Sequence, residues 1–358
     1  MKTTTTTHEI VNTTPTLRLL VAALALAGCT LVQAQTQTPV SDAQQVTVDN
    51  FTRAESARFF ANVVKRGGFG AFAHHRQLLP IDMQAVVRPN RDTLYSSAVF
   101  DLDAGPVTVT LPDAGKRYFS MIAINQQQYT PGVVYKAGSY TYDKAQLGSR
   151  YLLLGVRTLV DPADPADVKA AHALQDAIKV RQDGGPGHFE PGNWDQASLA
   201  QVRKSLLALA STVPDSGGMF GSPAQVDPIR HLLGSAAAWG GNPEKDAYYL
   251  NVTPTRNDGS TVHQLVVRDV PVDAFWSISV YDSAGYFQKN PFDAYTLNNL
   301  TASKGADGSV KVRFGGCDGK VANCLPTMPG WNYMVRLYLP QAQILDGSWR
   351  FPQAQPLP

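Results

Sequence analysis

"VVRPNRDTLYSSAVFDL", residues 86–102, decides how the chain is read. From Thr93 onward the residues alternate as in a strand. Thr93, Tyr95, Ser97 and Val99 fall on one side, and Leu94, Ser96, Ala98 and Phe100 on the other. In front of that strand stands a polar turn. Pro89 biases Arg88 toward extended backbone, and Asn90 and Asp92 favour turns through side-chain-to-backbone hydrogen bonds. Two readings of the turn are open. In one, Asp92 caps the turn, an arginine pairs with it and Tyr95 packs. In the other, Arg88 or Arg91, with Asp92 and the Tyr95 hydroxyl, line the mouth of a site. There an arginine would grip an anionic group bidentately, and Asp92 would bind a hydroxyl or act as acid or base.

Outward from this stretch the period of two continues. "VTVTLP", "RYFSMIAIN", "SYTYD" and "RYLLLGVRTLV" are short β-rich runs broken by Gly, Pro and Asp, the spacing of an antiparallel sandwich. A helix precedes them in "TRAESARFFANVVKRGG", with Thr52 and Glu55 spaced as a capping box. Helices return after Asp161-Pro162 and Asp164-Pro165, in "QASLAQVRKSLLALA", and after Asp227-Pro228. The last third is β again, and "AYYLNVTP", "HQLVVRDVP", "AFWSISVYD", "SVKVRFGG" and "NYMVRLYLP" fit a second sandwich of jelly-roll kind. The expected class is mainly β with a helical insert. Its parts are a helix and first sandwich over 51–160, the insert over 161–242 and the second sandwich over 243–358.

The N-terminus carries a different signal. "LLVAALALAG" (19–28) is apolar but too short to span a bilayer, and reads as the core of a secretory signal covering 1–34. "LAGC" resembles a lipobox that would attach a lipid to Cys29, whereas "VQA" before Gln35 resembles an ordinary cleavage site. Either reading sends the chain to the periplasm, or to the outer membrane as a lipoprotein whose only membrane contact is that lipid. A polar linker over 35–50 follows. In an oxidising compartment Cys317 and Cys324 are expected to form a local disulfide; no Cys or His ligands lie near enough to favour zinc.

The balance of 31 basic and 29 acidic residues, with no basic stripe, sets nucleic acid aside. No phosphate loop, Gly-x-Ser-x-Gly elbow or His-Glu-x-x-His string is present. "GFGAFA" (68–73) matches a dinucleotide fingerprint but follows a helix rather than a strand, so no cofactor is expected. His74-His75 and "HFE" (188–190) are weak candidates for a pocket or acid–base role, and no metal site is expected. Trp276 is either core or a stacking platform for a sugar, and Trp239 is placed to cover a cleft. Arg336 alternates with apolar neighbours in "MVRLYLP", and if it points inward it must be paired.

Taken together, "VVRPNRDTLYSSAVFDLDAGPVTVTLP", "RYFSMIAIN", "AFWSISVYD", "YFQKNPFDAY", "NCLPTMPGWNYMVRLYLP" and "ILDGSWRFP" resemble a family of exported bacterial proteins. These pair a domain of unknown function 1254 with a domain of unknown function 1214. The resemblance implies an immunoglobulin-like first sandwich and a jelly-roll second one, and no reaction. Three functions are expected to compete. The first is binding of a small organic or carbohydrate ligand between the domains by Arg88, Asn90, Arg91, Asp92, Tyr95, Trp276 and Arg336. The second is a metal-independent hydrolase or lyase using Asp92 and Tyr95. The third is a structural envelope role.

Overall fold

A computed structural model describes residues 42–84 and 86–358. The expected export signal, Cys29 and the first part of the expected linker lie outside the described residues. The rest of that linker belongs to the fold. Gln44 exchanges backbone hydrogen bonds with the 193–195 segment, and Val46 is buried against helices.

Helix α1 (Phe51–Lys65) is the first helix among the described residues. The capping box does not form: Asn50 is the N-cap, and Glu55 is instead buried and gripped by Arg58 and Arg203. The first sandwich contains β1 (Ala73–His74), β2 (Thr93–Asp101), β3 (Val107–Leu111), β4 (Phe119–Asn125), β5 (Val133–Val134) and β6 (Gly138–Tyr142). After the one-turn α2 (Lys144–Leu147), β7 (Tyr151–Leu159) completes its main sheet. That sheet has the order β1-β2-β7-β4-β5. Its inner face, with Phe100, Met121 and Leu154, packs on Val107, Val109 and Tyr142 of the smaller sheet.

The insert holds α3 (Pro165–Asp176), α4 (Gln196–Ala210) and α5 (Pro228–Ala237). Asp164 and Asp227 cap α3 and α5 with proline behind them, as their sequences predict. The insert is not wholly helical. β8 (Lys179–Arg181) pairs with β3 to complete the smaller sheet, β6-β3-β8. Three residues are too short a run to show alternation, so composition hid it. α1, α4 and α5 share a core through Phe51, Leu199, Leu206 and Leu233. Phe60 of α1 covers the outer face of the main sheet at Val99, Ile122 and Leu153.

The second sandwich comprises β9 (Ala247–Val252), β10 (His263–Val267), β11 (Trp276–Tyr281), β12 (Thr296–Asn298), β13 (Val310–Phe314), β14 (Cys324–Leu325) and β15 (Asn332–Tyr338). Beyond β15 come α6 (Ala342–Leu345) and β16 (Gln355–Pro356). Its sheets have the orders β12-β11-β15-β9 and β14-β13-β10-β16 and enclose Ile278, Val312, Phe314, Trp331 and Val335. The Cys317–Cys324 disulfide forms as the spacing predicts. The chain is thus mainly β with a largely helical insert, and its strand orders describe it without the immunoglobulin-like and jelly-roll labels.

One property of this fold positions everything below. Every residue of β15 is buried, so both faces of its sheet are covered. Tyr333, Val335 and Leu337 face the second core, while Met334, Arg336 and Tyr338 turn the other way, toward the first sandwich.

Candidate functional site

Where the two sandwiches meet, the 86–92 turn lies on the outer face of β11 and β15. Arg336, with only 3% of its surface exposed, organises the contact. It donates to Ser279 Oγ (2.8 Å), Tyr281 OH (2.7 Å), and the carbonyls of Arg88 (2.9 Å) and Pro89 (3.2 Å). Tyr281 OH donates to the Pro89 carbonyl as well, at 2.7 Å. Arg88 N–H donates to Gly285 O at 2.8 Å. These bonds explain a departure from expectation. Arg88 is not extended but left-handed, with φ 49°, which non-glycine residues rarely adopt without support.

Asp92 lies behind this turn, 1% exposed. Its carboxylate accepts from Ser277 Oγ (2.6 Å) and Thr296 Oγ1 (3.3 Å). Burial pushes its pKa up, against the downward pull of Arg336 and the two hydroxyls.

Beside the turn is a cavity of about 170 Å³. The first sandwich contributes Arg88, Asn90, Tyr95 and Arg157, the second Tyr249, Arg336 and Tyr338, and the insert Leu207, Met219 and Trp239. Trp239 is held flat on Phe59, ring centroids 4.2 Å apart, and donates its indole N–H to Ser56 Oγ at 3.0 Å. Part of the wall is therefore apolar and part is rich in guanidinium and phenol groups.

Arg157 is the centre of that polar wall. β2 and β7 pair antiparallel with Tyr95 directly opposite Arg157, and the guanidinium carbon sits 5.7 Å from the Tyr95 ring centroid. Arg157 is 8% exposed and donates to Gly240 O (2.8 Å) and to the Asn242 side-chain oxygen. Among the described residues no carboxylate forms an ion pair with it. Burial opposes its charge, but the surrounding phenols of Tyr95, Tyr249, Tyr118 and Tyr338 outweigh that and hold its pKa above the usual range. Asn90 ties the phenols together. Its amide donates to Tyr95 OH (3.0 Å), Tyr338 OH (3.3 Å) and Thr93 Oγ1 (3.3 Å).

Comparison with known sequences adds a family. Residues 69–143 match the family described as protein of unknown function DUF1254, and residues 248–342 match the one described as protein of unknown function DUF1214. A DUF1254 match thus precedes a DUF1214 match along the chain. No curated protein matches it. Among solved structures it is similar to the VPA0106 protein from Vibrio parahaemolyticus. That pair is 16% identical with a TM-score of 0.63, covering 87% of this chain and 98% of that one. A putative uncharacterised protein from Burkholderia cenocepacia is 15% identical with a TM-score of 0.54, covering 87% of each chain. At such identities the likeness concerns the fold alone.

Segments of the two matched regions meet in space. "RPNRDTLYSS" of the first docks on "FWSISVYD" and "MVRLYLP" of the second through the Arg336, Tyr281 and Ser277 bonds. Of the residues singled out from sequence, Arg88, Asn90, Tyr95, Trp239 and Arg336 line the cavity. Asp92 does not; it faces the hydroxyls of Ser277 and Thr296. Arg91 turns away, donating to Leu79 O and lying 5.2 Å from the Tyr295 ring centroid. Trp276 is no stacking platform, because strand alternation sends its indole into the DUF1214 core against Phe351. His74 is bound to Ser96 Oγ at 2.8 Å, and Glu190 pairs with Arg150 at 2.9 Å. Among the described residues no group of three or more His, Cys, Asp or Glu is placed to hold a metal ion.

Sequence reasoning missed Arg157, Tyr249 and Tyr338. Arg157 lies outside both matched segments, yet it carried a signal. It is a lone charge inside the apolar run "YLLLGVRTLV", where a buried guanidinium needs a partner.

Proposed function

We propose that this protein binds a small organic anion, a carboxylate with an apolar body, in the cavity between its DUF1254 and DUF1214 domains. The supporting observation is Arg157, a buried guanidinium on the cavity wall with no carboxylate partner among the described residues. A buried charge left uncompensated is costly, and a ligand carboxylate is the planar partner that a guanidinium fork accepts in two hydrogen bonds. Arg88 and Arg336 add positive charge, while the one carboxylate on the wall, Asp215, is already paired with Arg230 at 2.8 Å. The size fits a small molecule: an engineered cavity of about 150 Å³ in another protein holds benzene. Trp239, Met219 and Leu207 supply the surface for the apolar body. A carbohydrate is less well served, since Trp276 is unavailable for stacking. With Asp92 behind the wall, nothing at the cavity favours hydrolysis or elimination by that residue. The apolar 19–28 run and "LAGC" support an exported, lipid-anchored receptor.

Thermal denaturation with acetate, butyrate and benzoate, beside the matching amides, tests the reading. The carboxylates are expected to raise the melting temperature in wild type and not in Arg157→Met. Equal stabilisation by the amides, or by carboxylates in the variant, would refute it.

A further inference from the structure

We propose that the anion is a dicarboxylate, held by Arg157 at one end and by Arg88 at the other; the inference rests on the carboxylate reading of the cavity and names its ligand class. The charges on the cavity wall carry it. Arg88, Arg157 and Arg336 line the cavity, and the carboxylate on the same wall is Asp215. Asp215 pairs with Arg230 at 2.8 Å, so it offsets none of the three. Arg336 has the Asp92 carboxyl close enough to influence it, and its donors go to Ser279, Tyr281 and the two turn carbonyls. Arg157 and Arg88 remain, each without a carboxylate partner among the described residues. A ligand with one carboxylate leaves one of these charges uncompensated, and a dianion completes both.

Arg88 divides into a committed backbone and an uncommitted side chain. Its carbonyl accepts from Arg336 and its N–H donates to Gly285 O. Its guanidinium is half-buried and makes one long hydrogen bond, from Nη2 to Asn332 Oδ1 at 3.3 Å. Nε is buried with no acceptor, and Nη1 has no hydrogen-bond partner among the described residues. The ionisable groups that act on it are the Tyr281 phenol and the Arg336 guanidinium, and neither is a carboxylate. Such a fork lacks an acceptor, which a ligand carboxylate supplies in two parallel hydrogen bonds.

The two forks stand at different levels along β15. Arg88 reaches Asn332, where the strand begins. Arg157 holds the Asn242 side chain, whose residue donates its backbone N–H to Tyr249 OH, and Tyr249 lies directly across from Arg336. From Asn332 to Arg336 the strand rises by about 13 Å. A guanidinium–carboxylate contact at each end takes up part of that distance, and a chain of a few methylene groups bridges the rest. Met334 lines the cavity between the two levels, and Met219 and Trp239 add apolar surface for the chain.

Calorimetric titration at about pH 8, well above ordinary carboxyl pKa values, compares succinate, glutarate and adipate with their monomethyl esters. Each ester keeps the chain and one carboxylate and loses the second charge. In wild type at least one diacid is expected to bind about tenfold or more tightly than its own ester. Arg88→Gln should bind that diacid and its ester alike, and Arg157→Met should bind neither. The wild-type comparison holds whether or not Arg88→Gln folds. Esters that match or exceed all three diacids in wild type, or a diacid advantage that survives Arg88→Gln, overturn this inference and leave the anion reading standing. Binding that survives Arg157→Met, or failure of the diacids, their esters, butyrate and benzoate alike, overturns both.

Discussion

Arg336 and Arg157 are the same residue on facing sheets, both buried at one interface, and they are used in opposite ways. Arg336 spends its donors on two successive backbone carbonyls, a serine and a tyrosine, with the Asp92 carboxyl close enough to influence it. Arg157 has one carbonyl, one amide oxygen, a ring of phenols and an open cavity. A buried charge whose donors are consumed by the fold holds the fold together. One left without a counter-charge beside an opening is what a ligand completes. Removal of each guanidinium should therefore fail in a different assay.

The largest effect is expected from Arg336→Met. It orphans the Arg88 carbonyl, leaves the Pro89 carbonyl to Tyr281 alone, removes part of the support for a left-handed Arg88 and leaves Asp92 without its nearby positive charge. Loss of about 3–5 kcal/mol in urea unfolding is expected. Arg157→Met should change stability by less than about 2 kcal/mol, because a buried unpaired charge is removed together with its two hydrogen bonds. Equal losses in the two variants would erase the distinction. The complementary measurement adds benzoate at about a hundred times its dissociation constant, which should stabilise wild type by about 2.7 kcal/mol and Arg157→Met not at all.

The same contrast shows what the sequence discloses. Arg336 was visible as an inward-pointing charge in an alternating strand, since alternation is a local property of "NYMVRLYLP". The role of Arg157 was not, because it depends on pairing between β2 and β7, whose partners are some sixty residues apart. Trp276 was left open between core and stacking platform although its own strand held the answer. In "WSISVY" the apolar Trp276, Ile278 and Val280 share one face and Ser277, Ser279 and Tyr281 the other, and it is the polar face that meets the DUF1254 domain. Asp92 was read either as a turn cap paired with an arginine or as a site residue, and its hydrogen-bond partners are hydroxyls from the other sandwich, which no local pattern reveals.

A smaller effect separates the interface from the rest of the DUF1214 sandwich. The Cys317–Cys324 bond closes a short loop by β14, and neither cysteine lines the cavity. Loop-closure entropy credits such a bond with about 2–3 kcal/mol. Replacing both cysteines with serine should lower the urea midpoint accordingly and leave benzoate affinity unchanged. A loss of affinity would mean that the cavity floor depends on the far sheet, and the two arginines could no longer be compared as local groups.

Asp92→Asn tests the remaining asymmetry, the carboxyl that one arginine has and the other lacks. Burial raises the folded-state pKa of Asp92 above its unfolded value, so the folded protein holds the proton more tightly. Its contribution to stability is then fully present below the unfolded pKa of about 3.9 and is lost as pH rises through the folded value. At neutral pH the variant, freed of a buried carboxylate and keeping an acceptor for Ser277, should be the more stable of the two. That advantage should shrink as the pH is lowered through the folded pKa toward the unfolded one. Arg336 keeps all four of its hydrogen bonds in this variant, since none of them goes to Asp92. If the variant instead loses stability at neutral pH, attraction between Asp92 and Arg336 exceeds the cost of burial. Arg336 would then be held by charge as well as by its hydrogen bonds, and the missing counter-charge at Arg157 would be the sharper anomaly for it.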